Sequence, residues 1–180
     1  MMRHFLLISL WFEALWLLAV LGQARLQWIT IGLVTVTMAY TALRYPLALG
    51  RIMMVAAIGM TLDYINLHVG LFSFTTSFLP IWLVGLWFAF AWFASFAIPV
   101  FSHLPALLVF SATALGGALS YWAGHRFGAV QFEWSVAGAV FVLFLEWFGL
   151  SLLLMKVFRN ANPTFNRDTV SDRDPLDRHR

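Results

Sequence analysis

Three carboxylates stand inside long apolar runs, at Glu13, Asp63 and Glu146. If those runs are helices, a rise of 1.5 Å per residue puts Glu13 roughly 14 Å from His4, Asp63 roughly 18 Å from Arg51 and Glu146 roughly 15 Å from Lys156. Each then falls near the middle of a hydrocarbon layer about 30 Å thick. A charged side chain at that depth costs about 2.5 to 3.5 kcal/mol on insertion scales, so all three are expected to point into a helix bundle. There they could relay protons, hold the charge of a ligand, or accept a structural hydrogen bond from a neighbouring helix. Asp63 shares a helical face with Ala56, Gly59, Asn66 and Gly70, and Glu146 with Gly138, Val142 and Gly149. Small residues at spacings of three and four mark the faces on which helices approach closely in lipid.

A second constellation lies between positions 112 and 128. Ala112, Gly116, Ser120, Gly124 and Gly128 follow one another at intervals of four, a ladder that predicts a helix-packing face and a central helix. The adjoining row, Thr113, Gly117, Tyr121 and His125, adds polar groups. Ser120 lies about 22 Å along its helix from Pro105, and Asn66 reaches a matching depth. A polar pocket of Asp63, Asn66, Ser120, Tyr121, His125 and Arg126 is therefore geometrically open. The plain alternative is that His125 and Arg126 snorkel to the interface.

Other chemistries are poorly served. The chain has no cysteine, which excludes disulfides, thiolate metal sites and a cysteine nucleophile. Its five histidines include no i, i+4 pair, and His68 stands five residues beyond Asp63, about 140° round a helix, so the two cannot share a metal. There is no phosphate-cradling glycine loop and no GxSxG elbow. No metal and no cofactor are expected.

The elements that must position these residues follow from composition. Of 180 residues 62% are hydrophobic and 11% charged, where a soluble domain is typically about a quarter charged. Six stretches are long and apolar enough to span a bilayer, at 5–21, 27–43, 52–72, 79–98, 104–122 and 134–158. Turn signals separate them at Gly22-Gln23, Tyr45-Pro46, Ser73 to Ser77 and Pro99 to Pro105. The expected fold is all-α, a polytopic transmembrane bundle over 1–158. The first run, with Glu13 and two tryptophans inside it, reads as a retained helix rather than a cleaved leader.

With the N-terminus inside, Arg3, Arg44, Arg51, Lys156 and Arg159 are cytoplasmic and only Arg25 and Arg126 lie outside, which favours both ends in the cytoplasm. The same orientation sets Trp28, Trp82, Trp122 and Trp134 at the outer interface. Residues 159–180 change to a polar tail with five Arg and four Asp, expected to be a disordered cytoplasmic segment. The basic residues form no patch, so a nucleic-acid partner is not expected and the lipid bilayer is. Spans one to three do not resemble spans four to six, which removes the usual pointer to a secondary transporter. Trp82, Trp87 and Trp92 recur every five residues and wrap round their helix, so lipid contact is expected for them.

The run Leu115-Gly-Gly-Ala-Leu-Ser-Tyr-Trp-Ala-Gly-His-Arg-Phe-Gly-Ala129 resembles the signature of the domain of unknown function 2878 family of bacterial inner-membrane proteins. Glu13 to Gly22, Gly59 to Gly70, Pro80 to Phe90 and Glu146-Trp147 match that pattern in order, over about residues 5 to 157. Ala118 stands where the pattern has a proline, so a kink there is not carried over. The resemblance implies a bacterial inner (cytoplasmic) membrane location and genes neighbouring cyclopropane-fatty-acid-synthase-like enzymes, hence a link to membrane-lipid modification or stress response.

Three readings follow. The first is a non-enzymatic accessory or scaffold protein, with a lipid-modifying enzyme as partner. The second is a small proton-coupled permease using the intramembrane carboxylates. The third is a lipid-acting enzyme using His125 with Asp63 or Glu146.

Overall fold

The computed structural model describes residues 2–159. The tail expected beyond Arg159 lies outside the described residues.

Helices begin where prolines and a serine let them. Pro46 opens α2 (Pro46–His68), and Pro80 and Pro105 are the N-caps of α3 (Ile81–Phe101) and α4 (Ala106–Arg126). A missing N–H is harmless at these positions, because the first amides of a helix have no helical acceptor. Ser135 caps α5 (Val136–Phe158), its hydroxyl accepting from the Gly138 amide at 3.2 Å.

The first element, α1 (Met2–Arg44), is broken at Gln23, whose φ of 41° and ψ of −133° are not helical. The Trp11 indole donates to Thr37 Oγ1 at 3.1 Å, yet 26 residues of straight helix would hold these groups about 39 Å apart. The chain therefore reverses at Gly22-Gln23, the turn expected there. Its arms, 2–22 and 24–44, lie antiparallel, and Leu15 and Val34 share a core with Ala89 of α3. With α1 counted once, five helices among the described residues are long and apolar enough to cross a membrane.

The central helix is α3, which packs on α1, α2 and α5. Eleven of its 21 residues are buried, against five of 21 in α4. This corrects the expectation that the helix of the small-residue ladder would be central, because α4 leans almost wholly on α5. It also corrects the lipid-facing assignment of Trp82, Trp87 and Trp92, all of which are buried because α3 has neighbours on every side.

The loops after α2 and α4 are built alike. Gly70 (φ 70°) and Gly128 (φ 71°) end the two helices in left-handed geometry. Leu71 N–H donates to the Asn66 carbonyl at 2.9 Å and Ala129 N–H to the Gly124 carbonyl at 2.8 Å, the six-to-one bond of a Schellman closure. The chain then forms β1 (Phe72–Ser73) and β2 (Gln131–Phe132), which pair antiparallel with Phe72 opposite Phe132 and Ser73 opposite Gln131.

Gly59, Asp63, Asn66 and Gly70 correspond to Gly117, Tyr121, Gly124 and Gly128, each 58 positions on. The ends of α2 and α4 and the turns that follow them are thus alike in spacing and in backbone geometry. The Gln23 side chain reaches the β1–β2 end of the bundle, the sheet end, donating to the Phe127 carbonyl at 3.4 Å.

Candidate functional site

Two glycines and two tryptophans make the centre. A Cβ at Gly59 would lie 2.1 Å from the Trp87 ring, and one at Gly117 would lie 1.9 Å from the Trp147 ring. Each indole therefore lies directly on a helix backbone, and the two stack on each other at 5.5 Å and 12°. One turn beyond each glycine comes a polar group. Trp87 Nε1 donates to Asp63 Oδ2 at 2.6 Å and the Tyr121 hydroxyl donates to Asp63 Oδ1 at 2.5 Å. Asp63 is 2% exposed, yet both of its oxygens are satisfied, which is what makes so deep a carboxyl tolerable.

Beside it, Asn66 Nδ2 donates to Glu146 Oε2 at 2.7 Å. Asp63, Glu146, Tyr121 and the two indoles share a cavity of about 10 Å³, room for a single water. Among the described residues no buried side-chain nitrogen or oxygen lacks a partner. A fully satisfied network of this kind fixes how α2, α3, α4 and α5 meet.

Glu13 is placed differently. It is exposed and lines a groove of about 740 Å³ between the first arm of α1, α3, α4 and α5. The groove starts at Phe101, Leu104 and Leu108, the end away from the sheet, and closes at Trp16, Ser120 and Trp147. Its volume falls within the range of small-molecule sites. Its walls are apolar apart from Glu13, Thr113, Trp16 and Ser120.

The blind end is a hydrogen bond, from Trp16 Nε1 to Ser120 Oγ at 2.7 Å. Beyond it, toward the sheet end, lies a second cavity of about 60 Å³ walled by Phe74, Trp82, Leu83, Leu86 and Val130. Trp16, Phe90, Ser120 and Trp147 line both spaces, so the Trp16–Ser120 contact lies at the boundary between the groove and the inner chamber.

The sequence pattern of the family described as a protein of unknown function (DUF2878) matches residues 5–153. The chain belongs to the DUF2878 family. No curated protein and no solved structure matches it.

Within this DUF2878 fold the expected polar residues separate into three places. Asp63, Asn66, Tyr121 and Glu146 come together at the centre. Glu13 and Ser120 belong to the groove. His125 and Arg126 end α4, with the His125 ring stacked on Phe132 at 4.7 Å, its Nδ1 3.3 Å from the Val130 carbonyl oxygen, and Arg126 exposed. Of the ladder, Ala112, Gly116 and Ser120 line the groove, Gly124 packs lightly on Val130, and Gly128 lies in the loop after α4. The tight contact falls instead on the neighbouring row, where the Trp147 ring lies against Gly117. Ala118, where the family pattern suggested a proline, sits in unbroken helix.

Sequence reasoning missed Trp16, Trp87 and Trp147 as partners in the DUF2878 site. The available signal was the matched spacing of Gly59 to Asp63 and Gly117 to Tyr121, which sets a gap for a large ring one turn before a polar group.

Proposed function

We propose that the protein is an integral membrane protein with six crossings and both ends in the cytoplasm, and that its groove holds the apolar body of an amphiphile drawn from the inner half of the bilayer. The groove of about 740 Å³ carries this reading. On this orientation it begins at the cytoplasmic end, runs about 22 Å along α4 from Pro105 to Ser120, and is rimmed by the exposed Leu108 and Leu119. Lipid tails are the surroundings such a groove would meet.

The role is holding rather than reacting. Asp63 and Glu146 are hydrogen-bonded into the frame, which favours a non-enzymatic accessory protein that presents a bilayer amphiphile to a separate lipid-modifying enzyme at the inner membrane. A permease is the second reading. It is favoured by the chamber beyond the Trp16–Ser120 contact.

Gly116 offers the test, because nothing lies within 4 Å of a Cβ placed there. Gly116→Phe fills the groove without a clash at the backbone. Mass spectrometry of lipid retained by the detergent-purified protein should find several-fold less with this variant than with wild type. Equal retention would refute the groove as a ligand site. A deletion strain with unchanged membrane fatty-acid composition would sink the lipid-modification role alone.

A further inference from the structure

We infer that the ligand of the groove is a cationic amphiphile whose positive group sits against Glu13. This rests on the reading of the groove as a ligand site and names the chemistry it selects. Among the residues that line the groove Glu13 alone is ionisable. It has no hydrogen-bond or ion-pair partner among the described residues. The nearest basic residues on its own arm, His4 and Arg3, are about 14 to 15 Å away along the helix. An anion in apolar surroundings with no internal counter-charge is costly, and a ligand that brings the opposite charge removes that cost. Attraction between the two charges is also stronger there than in water.

The neighbouring rings suit the same ligand. Phe12 stacks on Phe93 at 4.6 Å and 9°, and Phe90 meets Trp147 edge-on at 4.9 Å. With Trp16 they make an aromatic wall along the groove beside Glu13. Aromatic faces attract cations through the ring quadrupole, most strongly where water is excluded. They also accept an alkyl chain. A neutral amphiphile would gain the apolar contact and leave Glu13 uncompensated, and an anionic one would add repulsion. The site thus combines an apolar trough for a chain with one acidic group near its blind end.

The test uses full-length protein in nanodiscs of neutral lipid and three probes that differ only in their head, 3-bromododecyltrimethylammonium, 3-bromododecan-1-ol and 3-bromododecyl sulfate, whose bromine lies beside the head and so beside Trp16 when the head meets Glu13. Bromine quenches tryptophan emission on contact, and Trp16 and Trp147 line the groove. The ammonium probe should bind about tenfold more tightly than the alcohol, a gap of the size a desolvated charge contact supplies. Glu13→Gln should abolish that preference by weakening ammonium binding to the level of the alcohol, without lowering alcohol affinity or the thermal midpoint. Equal binding of all three probes to wild type overturns the cation assignment and leaves the groove standing. Equal loss of alcohol and ammonium binding in Glu13→Gln also overturns it, since Glu13 would then only shape the groove. If Gly116→Phe does not weaken alcohol binding, the groove reading itself falls, and this inference with it.

Discussion

Gly116 and Gly117 are neighbours in sequence with opposite surroundings. A Cβ at Gly117 would enter the Trp147 ring, whereas one at Gly116 would meet nothing. Trp147 cannot withdraw, because it is stacked on Trp87, which is itself held by Gly59 and Asp63. Gly117→Ala should therefore destabilise the fold by about 2 kcal/mol or more, the scale of overpacking in a rigid core. Gly116→Ala should be neutral or stabilising by up to about 1 kcal/mol, the helix-propensity gain. Thermal unfolding of the two variants in detergent measures both, and equal midpoints would show that the tryptophan stack is not fixed as described. At this scale the sequence was informative about type and less so about partners. Intramembrane depth pointed to Glu13, Asp63 and Glu146 as inward carboxylates; Asp63 and Glu146 stand at the centre with Asn66 and Tyr121, whereas Glu13 is exposed in the groove. Depth did not reveal that the Asp63 partner on α3 is an indole, because tryptophans five apart look like a lipid-facing wrap until the helix is known to be surrounded.

Elements were legible where hydropathy and punctuation agree. Pro80, Pro105 and Ser135 start their helices close to the expected apolar runs, whereas Pro46 starts α2 well before the run expected from Ile52, and the reversal at Gly22-Gln23 was expected from its composition. The two-residue strands β1 and β2 were not legible, since a pairing that short has no periodicity. Nor was the likeness of the α2 and α4 ends, because it reduces to matches in spacing such as Gly59 with Gly117 and Gly70 with Gly128, and the polar position changes from Asp63 to Tyr121. The equivalence of the two turns is testable. Gly70 and Gly128 hold φ of 70° and 71°, a conformation that costs a residue with a Cβ about 1 to 2 kcal/mol. Neither has an atom within 4 Å of a built Cβ, so backbone strain is the whole effect of alanine. Gly70→Ala and Gly128→Ala should each lower stability by about 1 kcal/mol and by similar amounts. A loss at one position only would show that the turns are not equivalent.

For the whole molecule the decisive quantity is parity. Hydropathy alone yields five helices of membrane-crossing length when α1 is taken as one element of 43 residues, and five crossings would put the ends of the chain on opposite sides. The hairpin at Gln23 makes the count six on the reading proposed above. Two contacts argue for it: Trp11 meets Thr37 across the hairpin, and Gln23 reaches Phe127 at the sheet end while Arg44 leads into α2 at the other. Basic residues agree, since Arg3, Arg44, Arg51, Lys156 and Arg159 then share one side. Alkaline phosphatase, active only outside the cytoplasm, separates the two counts at positions where they disagree. Fused after Arg44 or after Arg159 it should be silent, and fused after Gly22 it should be active. If α1 crossed once, the fusions after Arg44 and Arg159 would both be active, and the groove would open on the outer half of the bilayer instead of the inner. That single result would reverse the side from which an amphiphile reaches Glu13.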